Sequence, residues 1–430
     1  MVNFAAIKTL EETLDHKSSG VGKRRADKTL ILLLLILGVG FLLRLGWMLY
    51  AKPMPVSDFK EYMLLAENLL EEHRFGIAKP TAYWLPGYVF FLAIFMIISK
   101  SVLWLSLINV VLSIIICAEI FFLTRFLVND KAALPACLVC ALNPAFIFFS
   151  PVLAGEHLFG VLVLGSIWAA LPRSSYGLFY PWLSGVLLGG AILTRGEGLF
   201  YVPIMVGVCM WRQGGPPGQR RAIPWRKGLI ALSAALCVVL AWYIRNIVVL
   251  GEGAGLSTSG GINFYFAHNP DKYGFHQLPQ EFMERDEIAS QKHGYESGWR
   301  YIKSKPRCLL DSIVRGTVQL YGPSTYGINW STRLDDFDGQ EWKVKALPGL
   351  KVMKYLSVAG YGLLLLGVLL FPLTRRYWTS LSIFIMGGLI FCNWFCYAVV
   401  FWSKPRYHYI AETIFCLITG TVLARIMKKC

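Results

Sequence analysis

The stretch 56–91, VSDFKEYMLLAENLLEEHRFGIAKPTAYWLPGYVFF, decides how the rest of the chain is read. Apolar residues fall at Phe59, Tyr62, Met63, Ala66, Leu69 and Leu70, the i, i+3, i+4, i+7 spacing of one helical face. Ser57 is placed as an N-cap, Asp58 and Glu61 suit the positive end of a helix, and Gly76 reads as its stop. Such a helix lies on a membrane surface with its acidic face wet. A carboxylate in its first turn meets a lipid head group, so Asp58 is where chemistry is expected. After the turn, Trp84-Leu85-Pro86-Gly87-Tyr88 leads back into apolar sequence. The run 87–98 is too short to span a bilayer at about 1.5 Å per residue, and reads as a second interfacial helix.

Composition sets the class. Of 430 residues 55% are hydrophobic and 16% charged, with a mean hydropathy of +0.51. A soluble domain carries about 25% charged residues, so this is an all-α polytopic membrane protein. The formal charge of +16 is first tested against the positive-inside rule, and nucleic acid is not needed to explain it. Eight of the ten cysteines lie in apolar runs, with Cys308 in a polar loop and Cys430 at the C-terminus. That is no disulfide framework, and Cys137-x-x-Cys140 within a span reads as packing.

Outward from the opening stretch, Leu30–Ala51 is too long for a signal-peptide core and lacks a small-residue cleavage site. Lys23, Arg24, Arg25 and Lys28 hold the tail 1–28 in the cytosol, which puts Asp58 outside. Further spans are expected near 101–125, 132–149 and 156–171. Arg173 and the Arg212–Lys227 cluster are both cytosolic markers, so 177–212 holds two short crossings broken outside at Thr194–Gly198. Spans near 228–249, 352–373, 378–401 and 407–424 bring the count to ten. The organisation is then a tail at 1–28, a catalytic membrane module at 29–249 with a first outer loop at 52–100, a large outer loop at 250–347, and terminal spans at 348–430. Within the large loop, Pro306 starts an interfacial helix as its N1 proline. Asp335–Gly339 lacks acids at the first and twelfth positions of a calcium loop, and Gly251–Gly255 opens no dinucleotide-binding unit.

Charges in or beside apolar spans are costly and face a cavity or a partner. Arg44, Glu156, His157, Arg195, Glu197, Arg245 with Asn246, and Arg406 all map to the outer side, with Asp58. Several cations and carboxylates around one outer cavity suit a phosphate-bearing lipid and a group to be deprotonated. Glu119 and Glu412 lie deeper and take no role in this reading.

The residues resemble the GT-C glycosyltransferases, in particular the bacterial protein-O-mannosyltransferase and aminoarabinose-transferase group. The matching pieces are Asp58 with Tyr62 and Ala66 before Leu85–Tyr88, Asn143-Pro144 with Gly155-Glu156, and Gly189–Gly198. Others are Trp242–Asn246 followed by Leu256–Asn263 and His268-Asn269-Pro270, and the late Lys404-Pro405-Arg406-Tyr407. The resemblance implies an inverting transfer of sugar from a polyprenyl-phosphate donor, on the extracytoplasmic face of a bacterial inner membrane, to a lipid, glycan or protein acceptor. Asp58 would take the first-loop acidic position, as general base or as ligand of a divalent metal. It departs from the family in having Phe59 where many relatives carry a second acid, and Gly196 within Arg195-Gly196-Glu197 where they carry proline.

The chemistry divides among named residues. The acceptor hydroxyl must lose a proton, to Asp58, while charge gathers on the leaving phosphate. Arg195, Arg245 and Arg406 are the phosphate clamps, since a guanidinium offers paired donors. Tyr88, Glu197, Asn246, Asn263 and Asn269 are further substrate contacts. Asp58, Glu156 and His268 form the candidate ligand set for Mg, Mn or Zn. Two other functions share these features, a lipid-linked-sugar flippase or transporter and a lipid-binding scaffold. A transporter is expected to show repeats and midplane charges, and neither is evident.

Overall fold

The computed structural model describes residues 4–172, 177–211, 224–269, 279–334 and 343–428, with side chains from residue 27 onward. Asp335–Gly339 and most of the Arg212–Lys227 cluster fall outside the described residues. Every regular element among the described residues is helical, and the only extended pairings there are isolated bridges at Gly76–Pro80 and Arg333–Val344.

The helices follow in chain order. They begin with α1 (Phe4–Ala51), α2 (Asp58–Glu71), α3 (Pro86–Met96), α4 (Val102–Leu127), α5 (Asp130–Leu142), α6 (Pro144–Phe149), α7 (Glu156–Ala170), α8 (Phe179–Thr194) and α9 (Gly198–Cys209). After α10 (Trp225–Leu250), the loop helices are α11 (Gly260–His268), α12 (Gln280–Met283), α13 (Glu287–Ser304), α14 (Arg307–Leu320) and α15 (Tyr326–Ser331). Helices α16 (Leu350–Leu369), α17 (Ser380–Trp394) and α18 (Tyr409–Ile426) close the chain.

Among the described residues, six stretches are long and apolar enough to cross a membrane: Asp27–Ala51, Val102–Leu127, Trp225–Leu250, Leu350–Leu369, Ser380–Val400 and Pro405–Ile426. The spans expected near 132–149, 156–171 and within 177–212 fall on shorter helices, α5 with α6, α7, α8 and α9, none of which is by itself long and apolar enough to cross. These pack against the long ones, α5 against α4 and α18, α8 against α7 and α10. Burial ranks the spans: Asp27–Ala51 buries 17% of its apolar window and Pro405–Ile426 buries 78%. The first therefore faces lipid and the last is the bundle's central helix. Arg406 enters the site from the start of that central helix.

Helix α2 forms on the face its spacing predicts, burying Phe59, Leu65 and Ala66. Its ends differ from expectation. Ser57 sits at the N-cap position with φ 54 and makes no capping bond; its hydroxyl donates to Asp58 Oδ1 at 3.3 Å instead. The helix stops at Glu71, ahead of Gly76, because His73 takes the left-handed region at φ 53. Pro306 stands at the N-cap of α14, one residue before the N1 place assigned to it.

Gly87 marks a close approach that fixes the site. A Cβ there would lie 2.5 Å from Thr194 Oγ1 and 2.7 Å from the Thr194 nitrogen. Only glycine lets the start of α3 meet the end of α8, immediately before Arg195.

Candidate active site

Five charged residues, each at a helix end or tight turn, form one chain of alternating sign. Asp58 opens α2, and its Oδ2 accepts from Arg406 Nη2 at 2.6 Å. Arg406 lies in the Pro405–His408 turn ahead of α18, and its Nε stands 3.6 Å from Glu156 Oε1. Glu156 opens α7, and its Oε1 also forms an ion pair with Arg195 Nη1 at 2.7 Å. Arg195 caps the C-terminus of α8, and its Nε reaches Glu197 Oε2 at 3.4 Å. Glu197 caps α9 and accepts from the Tyr201 hydroxyl at 2.9 Å, from Asn393 Nδ2 at 3.5 Å and from the Tyr397 hydroxyl.

The placement has a physical cause. The three carboxylates stand at the N-termini of α2, α7 and α9, where the helix dipole favours negative charge, and Arg195 stands at a C-terminus, where it favours positive charge. Arg406 opposes the dipole of α18 and is held by two carboxylates. Residues 395–400 continue α17 as a π-turn, which sets Tyr397 to receive Arg195 Nη2 on its hydroxyl at 2.9 Å. Aromatic rings wall the chain: Arg195 lies 5.1 Å over Tyr407, and Arg406 lies 4.8 Å from Trp330 and 5.3 Å from Phe59.

Asp58 is the most accessible of the three carboxylates, its side chain 26% exposed against 3% for Glu156 and 2% for Glu197. Burial works to raise its pKa, but the Arg406 guanidinium, helped by Lys404, holds the carboxyl below its usual range. It is ionised at neutral pH. Tyr62 lies in the field of Asp58, Glu156, Arg195 and Arg406, and its ring packs edge-on to Trp84 and Tyr88.

The other residues nominated from sequence sit elsewhere. Arg245 stacks 4.7 Å from Trp242 and donates to the Thr81 carbonyl at 2.8 Å and the Phe75 carbonyl at 3.2 Å. Asn246 donates to the Gly255 carbonyl at 2.9 Å. Both hold backbone, and among the described residues no contact joins them to the Asp58 chain. Tyr88 exchanges hydrogen bonds with Asn109. Asn263 is half-buried on α11, and Asn269, which caps that helix, is buried. Arg44 bonds Ser113 and the Ala141 carbonyl, and His157 meets the Tyr409 hydroxyl at 2.7 Å, so both fasten helices together. Glu412 does the same behind Arg406, accepting from Asn143 at 2.9 Å and Tyr326 at 3.0 Å and facing His408 at 3.1 Å.

The metal-ligand set does not assemble. His268 Nε2 meets the Val400 carbonyl at 3.2 Å, and Asp58 and Glu156 both face Arg406. Among the described residues no three His, Cys, Asp or Glu side chains converge to hold a metal ion.

Residues that sequence reasoning passed over complete the cluster. Arg333 lies 3.6 Å over the Trp330 ring, and Lys404 lies 4.2 Å over Trp402 in the field of Asp58, Arg333 and Arg406. Lys404 sits two residues before Arg406 in a recognisable motif, which was its one signal in the sequence.

No family model and no curated protein matches the sequence. Among solved structures the chain is similar to the archaeal oligosaccharyltransferase AglB from Archaeoglobus fulgidus, in complex with an inhibitory peptide and a dolichol-phosphate. The TM-score is 0.52 at 13% identity, over 92% of this chain and 50% of that one. This chain thus spans about half the length of that neighbour. Another structure of the Archaeoglobus fulgidus oligosaccharyltransferase, in complex with Zn and sulfate, gives a TM-score of 0.49 at 12% identity, over 92% of this chain and 49% of that one. ArnT from Cupriavidus metallidurans bound to undecaprenyl phosphate gives 0.43 at 12% identity, over 90% and 77%. At 13% identity the likeness to AglB is one of fold alone.

Proposed function

We propose that this chain is an inverting membrane glycosyltransferase. It moves a sugar from a polyprenyl-phosphate-linked donor to a hydroxyl acceptor, on the membrane side that carries the 250–347 loop. The observation that carries the reading is the alternating chain Asp58–Arg406–Glu156–Arg195–Glu197, with its most accessible carboxylate at one end. A scaffold that only binds lipid has no need of an ionised carboxylate held ready beside paired arginines. The AglB structure, of the same fold, holds a dolichol-phosphate and a peptide, which is consistent with a lipid-linked donor.

The geometry supports the following roles. The bond from Arg406 makes Asp58 a weak base. A docking phosphate draws the guanidinium toward itself, which frees Asp58 to accept a proton. The acceptor O–H bond breaks toward Asp58, and its oxygen forms the new bond to the anomeric carbon from the face opposite the phosphate. The bond from that carbon to the phosphate oxygen breaks, and its electron pair leaves with the phosphate. Arg406 and Arg195 stabilise the growing charge through fixed, water-poor donors. Glu156 stays paired with Arg406 as that guanidinium turns to the phosphate, and Glu156 and Glu197 hold Arg195 in place. No step is routed through a metal, because Arg406 occupies the space between the two carboxylates that a metal would need.

Mass spectrometry of lipids and surface glycans from cells with and without the gene tests this. Loss of one sugar-bearing product with build-up of a polyprenyl-phosphate sugar is expected. Unchanged products, with the lipid-linked sugar merely redistributed across the membrane, would instead mark a flippase.

A further inference from the structure

Helix α18 follows Arg406 at one end and reaches a second charged place at the other. Near its last turns the chain forms a cavity, lined by Lys131 of α5, by Tyr377 of the Phe371–Tyr377 turn, and by Thr421, Arg425 and Lys428. At about 1.5 Å per residue, the helix between Tyr409 and Arg425 holds the two places roughly 24 Å apart.

Basic residues collect at one end of a membrane bundle as a rule, so charge alone marks nothing. Three further observations single this place out. It is concave, and its lining among the described residues holds three cations and no carboxylate. The neighbouring acid, Asp130, is turned to Arg125 at 2.6 Å. The amides that open α5 are taken as well, those of Lys131 and Ala132 by the Asn129 side chain at 3.0 Å each. A ligand here therefore meets side chains, and not a helix end.

Tyr377 is set up as a donor. Its hydroxyl oxygen accepts from Arg376 Nη2 at 2.9 Å, which leaves its own proton for a ligand. That bond, and after it the charges of Arg376, Lys428 and Arg425, lower the pKa of the phenol and strengthen it as a donor. Lys428 Nζ stands 5.7 Å from the same ring. The same helix ends also carry bare apolar side chains, Phe126 on α4 and Leu423 and Ile426 on α18. A basic notch beside apolar surface suits a lipid, with its phosphate in the notch and its acyl chains along the helices.

We propose that this cavity binds the phosphate of an anionic phospholipid, with Lys131, Arg425 and Lys428 as its cations and Tyr377 as its hydrogen-bond donor. A zwitterionic lipid carries the same phosphodiester, but its ammonium sets a positive charge against three others and is disfavoured. A bound phosphate joins α5, the 371–377 turn and α18, and braces the central helix from the end remote from Asp58. The inference goes beyond the transferase reading and does not depend on it.

The test uses the full chain in a mild detergent, with bound lipid read by native mass spectrometry. Phosphatidylglycerol, phosphatidylcholine and glycerol 3-phosphate are the probes. Wild type should hold one phosphatidylglycerol about tenfold or more tighter than phosphatidylcholine, several cations acting together. Arg425→Gln and Lys428→Gln should each weaken it about fivefold, the factor one basic residue near an anionic lipid is worth. Tyr377→Phe keeps the ring and should lose about as much. Arg425→Lys keeps the charge and should retain most of the affinity, which separates a lost contact from a folding defect. Arg226→Gln removes a cation at the start of α10, outside the cavity, and should bind as wild type. Equal affinity for the two lipids would overturn the proposal. So would equal losses in Arg226→Gln and Arg425→Gln, the mark of diffuse surface charge. Glycerol 3-phosphate binding as tightly as the lipid would overturn it too, since the ligand would then be a soluble phosphate.

Discussion

Glu156→Gln removes one negative charge from between two guanidiniums, and the structure sets the scale of the loss. Its Oε1 lies 2.7 Å from Arg195 Nη1 and 3.6 Å from Arg406 Nε, in a side chain only 3% exposed. At an effective dielectric of about 20, unit charges 4 Å apart attract by about 4 kcal/mol, so two such attractions disappear in gross terms. The desolvation of a buried carboxylate is recovered in return. Breaking a buried pair by removing one partner costs about 3–5 kcal/mol net. Here each guanidinium keeps another carboxylate, Glu197 at 3.4 Å and Asp58 at 2.6 Å, so the low end, about 3 kcal/mol, is expected. The measurement is the thermal midpoint of purified variant and wild type in one detergent. Glu72→Gln serves as the comparison, since its pair with Arg74 is exposed and worth at most about 1 kcal/mol. Glu156→Gln should melt well below both. A midpoint indistinguishable from that of Glu72→Gln would refute the view that the alternating chain holds its arginines by buried charge.

Other outcomes follow from particular contacts. Arg245→Gln should speed hydrogen exchange at 75–83, because its guanidinium holds the Phe75 and Thr81 carbonyls; lipid-phosphate affinity in the folded fraction should match wild type, and a collapse of that affinity alone would return Arg245 to the phosphate. Gly87→Ala pushes a Cβ to 2.5 Å from Thr194 Oγ1 and should cost about 1–3 kcal/mol, read as a lowered thermal midpoint; an unchanged midpoint would mean that α3 and α8 part freely. In a cysteine-free background, a cysteine at Glu296 should react with an impermeant reagent in spheroplasts and one at Arg125 should not; the reverse would place the site on the cytosolic side.

Much of the architecture was legible because membrane helices advertise themselves. Spans such as Val102–Leu127 and Trp225–Leu250 lie where apolar length and basic flanks put them, and α2 buries the face its spacing marks. The charges of the site were legible for the same reason: Glu156, Arg195, Glu197 and Arg406 stand out beside apolar sequence, and they meet. Arg245 stood out equally, but its partners at Phe75 and Thr81 are 170 and 164 residues away and are carbonyls, which no side-chain pattern reveals. Arg333 and Lys404 were passed over because a cation in a polar loop is ordinary; only the approach of Trp330 and Trp402 makes them special. Ser57 shows the limit of cap rules, since its φ of 54 turns the hydroxyl toward Asp58 and away from the helix amides.

The most direct measurement is the rate of sugar transfer by Asp58→Asn from a polyprenyl-phosphate sugar, with purified protein in a bilayer. Asparagine keeps the shape and an acceptor oxygen for Arg406 Nη2, so normal expression and a thermal midpoint within a few degrees of wild type are expected. A general base contributes on the order of a hundredfold to ten-thousandfold, so transfer should fall at least about a hundredfold. Glu61→Gln, one turn along α2 where the carboxylate serves Trp84 Nε1 at 2.6 Å, should keep most of the activity. Transfer by Asp58→Asn at near the wild-type rate would reduce this carboxylate to a helix-terminal residue and move the search for the base to Glu156 or Glu197.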